Sequence, residues 1–394
     1  MLISSFFTKI CSFSTSLLLI RMLGVDEYGL LTYVLAVLAF FLPFSGGGMQ
    51  YSYLRFAPML SEDSEKMALF DYSLRRGILY TFFVAVLLVL TVPWLNQALA
   101  NTSHLFYVSI FYLFGFFLIE LVKMKYRVAG LNKKFAGLDA KLSLLVFVLG
   151  CGMAYFYGPL AYLIALVGTP LILGIFHVKI PIRVKVKIPK TYHSYGLWVG
   201  LGAIASQLMY SLDVFLVGQV IQDPEQVAIY RSASIIPLAL FFIPNSYITT
   251  YYADLAKHSE ERDYLIRFVK DYLKLFFGLS LVGGALLYML SDHLIFFLFG
   301  EAYIEAVPLF EILILGMVGA FLFRIPFGNL LASVGKSNWN AVVALVILIL
   351  NGVLNYFAID VWGVVGAAVV TSALLWVSGL VSVLLFSRYL KSLN

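Results

Sequence analysis

The chain has 394 residues, of which 62% are hydrophobic and 12% charged; its mean hydropathy is +0.94 and its formal net charge +6. A soluble domain carries about 25% charged residues, so a water-exposed fold is excluded and lipid is the solvent for most of the chain. The positive balance is not a nucleic-acid signature, because the basic residues fall between apolar runs and not along a polar stripe.

A helix needs about 20 apolar residues to cross the hydrocarbon layer. In chain order, the apolar runs predict spans at 3–22, 29–49, 77–95, 106–122, 142–157 and 160–178. Six more follow at 198–217, 228–247, 273–290, 306–327, 341–357 and 361–386. The first run reads as a span and not as a cleavable signal, because it has no small-residue cleavage site and leads straight into the second. None of the runs alternates as barrel strands do. Cys11 and Cys151 lie within apolar runs and read as unpaired buried thiols. With no cluster of Cys or His, nothing calls for a metal or a cofactor.

Lysine and arginine orient these spans. The even-numbered connections and the C-terminus hold 23 of the 27 basic residues, while the odd-numbered ones hold Asp26, Glu27, Asp223, Glu225, Asp292, Glu301 and Asp360. The positive-inside bias then puts both termini in the cytoplasm. The basic, proline-containing segment after span six divides the chain into an N-terminal six-helix lobe (1–178), a cytoplasmic linker (179–193) and a C-terminal six-helix lobe (194–394). An even number of spans per half makes the repeat parallel. Internal similarity supports the repeat: Tyr155-Phe156-Tyr157-Gly158 precedes span six, and Tyr356-Phe357 with Gly363 precedes span twelve. The long inner connection 251–271 reads as a solvated helix against the headgroups.

Four basic residues fall inside or at the rim of spans: Lys9, Arg21, Arg231 and Arg324. A charge there costs about 2.5 kcal/mol or more and usually faces the bundle interior or a wet cavity. Ser5, Lys9, Ser12 and Ser16 share one helix face, as do Ser206, Tyr210 and Asp213, and Arg231 and Ser234. Together these stripes argue for a central hydrophilic cavity. Lys9, Arg21, Arg55, Arg231 and Arg324 are the candidate substrate-binding residues, since Arg grips phosphate through paired hydrogen bonds. Snorkelling to headgroups is the alternative for Arg21 and Arg231, an ordinary topological role for Arg55 and Arg324, and an overlong, shifted first span for Lys9. Asp213 is the candidate coupling residue, holding an arginine neutral until substrate or an ion competes, or else a plain structural ion pair. Glu120 and Glu311, near span ends, read as solvated carboxylates. Pro170, Pro237, Pro244, Pro308 and Pro326 can each kink a span, and Gly363-x-x-x-Ala367 forms a small-residue packing face.

Several segments, in order, carry a resemblance. They are Arg21-Met22-Leu23-Gly24-Val25-Asp26-Glu27-Tyr28-Gly29; Asp213 with Gly218 and Tyr230; Phe299-Gly300-Glu301-Ala302-Tyr303-Ile304-Glu305-Ala306; Leu330-Leu331-Ala332-Ser333-Val334-Gly335-Lys336; and Trp362-Gly363-Val364-Val365-Gly366-Ala367-Ala368. The chain thus resembles the Wzx-type polysaccharide biosynthesis flippases, which share a superfamily with lipid II flippases and multidrug extruders. The resemblance implies an all-α integral membrane protein, about 12 transmembrane helices in two six-helix lobes around a central cavity that alternates between membrane sides. It also implies an undecaprenyl-diphosphate-linked oligosaccharide as substrate, a place in the plasma (inner) membrane, and polysaccharide polymerase and export machinery as partners. Unlike that family, the chain opens directly on its first apolar run. A multidrug-type cation antiporter would favour buried acids over arginines. An integral-membrane polymerase or glycosyltransferase would need outer loops with catalytic acids or histidines, and the outer loops here are short.

Overall fold

The computed structural model describes residues 2–178, 188–208 and 211–393, without the side chains of 2, 3, 5 and 201–207. The linker cations Lys179, Arg183, Lys185 and Lys187, and Tyr210 of the predicted polar stripe, lie outside the described residues, as do the side chains of Ser5 and Ser206. Lipid offers no partner for an open N–H or C=O, so the backbone closes its hydrogen bonds within each segment. Accordingly the described chain is helical and the protein is a multi-pass membrane protein.

The helices are α1 (Leu2–Met22), α2 (Val25–Phe41), α3 (Met49–Phe56), α4 (Asp63–Ala98), α5 (Ser103–Val128), α6 (Asn132–His177) and α7 (Tyr192–Leu208). They continue with α8 (Leu212–Ile221), α9 (Pro224–Leu240), α10 (Phe242–Lys257), α11 (Arg262–Met289), α12 (Ser291–Phe299), α13 (Ala306–Gly319), α14 (Ile325–Ser333) and α15 (Ser337–Lys391). The described residues of the twelve predicted spans fall on them and on the short breaks between them; residues 209–210 of span seven lie outside the described residues. Helices α6 and α15 each hold two spans, folded back at one glycine. Gly158 has φ 75° and ψ −164°, and Gly363 has φ 60° and ψ −148°. The folding back is visible in the contacts: Gly150 lies against Tyr162, Gly366 against the Ala358 carbonyl, and Asn351 bonds Thr371. The same rare backbone state at corresponding places in both halves is the structural counterpart of the repeat in the sequence. It also corrects the reading of Gly363 as a packing residue; Gly366, Ala367 and Ala368 are the buried small residues there.

Other spans are less regular than the apolar runs suggest. Span two is broken: α2 ends at Phe41, and Ser45-Gly46-Gly47-Gly48 intervenes before α3, with φ of 74°, 54° and 76° at the three glycines. These glycines are required twice over, for the left-handed backbone and for room. A Cβ on Gly46 would strike Phe117, and one on Gly47 would strike Tyr80. Span eight divides at Phe241, between Pro237 and Pro244. Pro308 causes no kink; it lies in the first turn of α13, where its missing N–H costs nothing. Span ten carries a π-helical turn at Ala320–Arg324, followed by Pro326, and Tyr272 Oη donates to the Phe321 carbonyl at 2.8 Å. Residues 251–271 are not a separate solvated helix. They are the ends of α10 and α11, with Leu255 and Leu265 buried and Tyr264 Oη donating to Asp254 at 2.7 Å.

The chain divides into compact units Met1–Ser211 and Leu212–Asn394. The sequence starts the second lobe at 194, whereas α7 packs in the first unit, because Tyr192 is buried there and bonds Ser73 at 2.6 Å. In unit one, Phe117 fills the space left by Gly46 and Gly77, and the thiols of Cys11 and Cys151 are buried and unpaired. In unit two, Gly316 and Gly319 admit Ser372 and Trp376, whose side chains donate to the Ile312 and Leu315 carbonyls at 2.8 and 2.9 Å.

Gly158→Ala and Gly363→Ala test the two reversals. Nothing lies within 3.4 Å of either added Cβ, so only backbone strain changes. Each substitution is expected to cost about 1–3 kcal/mol and to lower the melting temperature of the detergent-solubilised protein; equal melting temperatures would show that the strain is absent.

Candidate functional site

Among the described residues of the second unit, one carboxylate is buried in an apolar run. Asp213 opens α8 and is 4% exposed. It accepts hydrogen bonds from three helical segments: Tyr230 Oη of α9 at 2.9 Å, Asn355 Nδ2 of the first arm of α15 at 2.8 Å, and Thr371 Oγ1 of the second arm at 2.7 Å. Asn351 Nδ2 donates to Thr371 Oγ1 at 3.2 Å and extends the network. Asn351 and Asn355 stand four apart, so one helix face carries both amides. The hairpin at Gly363 brings Thr371 back beside them.

The donors around Asp213 are neutral. Its predicted arginine partner is not among its hydrogen-bonding groups; Arg231 lies next to Tyr230 on α9 and is half-buried. A buried charge without a counter-charge is tolerated only when it is richly hydrogen-bonded, and three donors meet that need. Two acceptors are left over: Asn351 Oδ1 and Asn355 Oδ1 are buried without a hydrogen-bond donor. A carboxylate, a hydroxyl and two amide oxygens are the hard oxygen donors that suit a small cation.

The predicted cationic residues are placed as follows. In α1, Lys9 and Ser12 are exposed and Ser16 half-buried, while exposed Phe6 and Ile10 take the adjoining face. The helix thus presents separate polar and apolar surfaces. Arg21 and Arg55 are exposed in the last turns of α1 and α3, where a cation meets the negative helix end. Arg324 ends the π turn, and its Nη1 donates to Asn340 Oδ1 at 2.8 Å in space that a Cβ at Gly328 would close. Nearby, Asn329 Nδ2 donates to Asn245 Oδ1 at 3.4 Å. Glu120 is not a free solvated carboxylate: Lys123 bridges it at 2.8 Å to Asp139 at 2.9 Å. Glu311 accepts from Ser291 Oγ at 2.8 Å.

Sequence reasoning missed Asn351, Asn355 and Thr371. Their signal was present as two amides four apart in an otherwise apolar run, but neutral side chains do not stand out in a search for buried charge.

Residues 18–308 match the polysaccharide biosynthesis protein family. The chain belongs to that family. A Shigella flexneri relative of this polysaccharide biosynthesis protein, named "Putative O-antigen transporter", is 28% identical over 177 residues. That alignment spans 44% of this chain and 41% of the relative, so less than half of either is compared. In fold, the polysaccharide biosynthesis protein is similar to the lipid II flippase MurJ in an inward closed conformation, with a TM-score of 0.78, 14% identity, and 99% and 89% of the two chains covered. It is similar as well to an inward-facing multidrug resistance MATE family transporter of the MOP superfamily, with a TM-score of 0.79, 14% identity, and 98% and 95% covered. At this identity the two structures speak for the fold.

Asn355→Leu removes a donor from Asp213 and leaves the carboxylate underbonded. The expected loss is about 1–3 kcal/mol, read as a lower melting temperature in detergent. Thr371→Val is expected to act in the same direction, and two unchanged values would exclude the network as a stabilising element.

Proposed function

We propose that this protein is a transporter and not an enzyme, a flippase that moves an undecaprenyl-diphosphate-linked oligosaccharide from the inner to the outer leaflet for cell-surface polysaccharide export. The observation that carries the reading is membership of the polysaccharide biosynthesis family in a chain with a transporter fold. In this reading the chain sits in the plasma (inner) membrane with both termini cytoplasmic, and its two halves alternate access to a polar cavity. Polysaccharide polymerase and export machinery would take up the product.

The chemical problem is to carry a diphosphate across an apolar layer. Lys9, Arg21, Arg55, Arg231 and Arg324 are the groups we assign to the phosphates and sugars. Lys9 is best supported, because an exposed ammonium beside exposed Ser12 belongs with water and not with lipid tails. Arg324, held by Asn340, offers an oriented guanidinium fork.

Asp213 is the coupling residue in this reading. Its amide neighbours give it two states: the NH2 of Asn355 faces a bare carboxylate, while a rotated amide would turn oxygen toward a carboxylate that holds a cation. Binding and release of that cation would bias the α8–α9–α15 packing, and such differential contact is what couples an ion to a conformational change.

Depletion of the protein in its native cell is expected to accumulate lipid-linked glycan on the cytoplasmic leaflet. Accumulation of unpolymerised units on the outer leaflet would assign a polymerase instead. In reconstituted vesicles, Lys9→Gln and Arg324→Gln are each expected to lower flipping at least tenfold at unchanged expression. Asp213→Asn is expected to do the same, and unchanged transport by that variant would remove the coupling role.

A further inference from the structure

We propose that α7 is a reversible latch, docked on the broken second span in one stage of the transport cycle and lifted from it in another. The proposal rests on the transport reading above. In chain order α7 opens the second half, after the linker, yet it packs inside the first compact unit. Its first two residues hold it there. The Tyr192 carbonyl accepts from Ser52 Oγ at 2.6 Å, and its hydroxyl pairs with Ser73 Oγ at 2.6 Å. His193 is gripped from both sides: Nε2 pairs with Tyr72 Oη at 2.8 Å, and Nδ1 with Tyr80 Oη at 3.1 Å. One turn on, Gly196 meets Gly48 backbone to backbone; a Cβ on Gly196 would strike Ser52 Oγ, and one on Gly48 would strike the Gly196 carbonyl.

The chemistry of this contact separates it from ordinary helix packing. Among the described residues two rings of α7 take part: Tyr192 is buried among Tyr53, Phe56 and Phe70, and Tyr195 meets Phe56 edge-on. The other described contacts are hydroxyl, imidazole and bare peptide. When such groups part in a wet passage they bond water instead, so the net loss is small. The docked state also has a standing cost. Ser45 Oγ and Gln50 Oε1, in the segment that α7 covers, are buried without partners. Water admitted by undocking would satisfy both. A contact made in good part by polar groups, over two unmet acceptors, is suited to opening repeatedly.

Ser52→Cys provides the probe, because Ser52 is fully buried when α7 is docked. The native thiols of Cys11 and Cys151, also buried, are the references within the same molecule. Membrane vesicles containing the variant would be treated with N-ethylmaleimide, with and without lipid-linked oligosaccharide, and modification read at each thiol by mass spectrometry. The latch predicts that the introduced thiol reacts at least fivefold faster than either native one, and that substrate changes that rate at least threefold. Adding Tyr72→Phe and Tyr80→Phe, which frees His193, should speed the reaction further. Adding Gly196→Leu, which blocks docking, should make it fast with or without substrate. If the introduced thiol is as inert as Cys151 in all of these proteins, while flipping proceeds in the same vesicles, the latch is overturned and the transport reading stands. A reactive thiol in vesicles that hold folded protein but flip no lipid-linked oligosaccharide would overturn the transport reading, and with it the role assigned to the motion.

Discussion

A peptide group in hydrocarbon has no solvent to bond, and this constraint organises the whole molecule. It forces helices, and it also fixes what a departure from helix must look like. At Gly158 and Gly363 the chain turns back within a single residue, so few backbone groups are left open. At Ser45–Gly48, where three glycines leave the helical path, Thr81 Oγ1 accepts from the freed Gly46 N–H at 2.9 Å. At the π turn, Tyr272 bonds the Phe321 carbonyl. The reversals are kept short, and the longer irregularities are matched by a specific side chain.

The spans were legible because apolar length is a composition signal, and the two hairpins were legible because aromatic residues and glycine mark both. The breaks within spans were harder to read. Ser45-Gly46-Gly47-Gly48 stands plainly in the sequence, but a window of hydropathy averages over it, and the depth of a membrane helix does not depend on whether it is continuous. Proline was a poor guide by itself. Pro308 begins a helix and so disturbs nothing, while Pro237 and Pro244 flank a real division at Phe241. The consequence of a proline depends on whether its residue i−4 is already in the helix, which only the helix start decides.

The candidate site was half legible for a related reason. Asp213 stood out as a charge in an apolar run. Its partners did not, because Asn351, Asn355 and Thr371 are neutral and lie about 140 to 160 residues away in the chain. Charge reasoning supplied an arginine as the natural partner. The fold supplied three neutral donors instead, and the difference matters chemically. A carboxylate paired with arginine has a fixed counter-charge, whereas Asp213 is held by a phenol, an amide and a hydroxyl that carry none.

The polar groups of the two units have different chemistry. In the first unit, Lys9, Arg21 and Arg55 are exposed, at helix ends or on a polar stripe. In the second, Asp213 is sealed among four helical segments and can change state only if something small reaches it. Those cations of the first unit are thus open to what surrounds them, and the carboxylate of the second is not. If ion and substrate are linked, the helices packed around Asp213 offer a route for the link. Helix α9 is placed for that, since Tyr230 bonds Asp213 and the next residue, Arg231, is one of the cations assigned to substrate. A shift of α9 when the carboxylate gains or loses its cation would move both residues together.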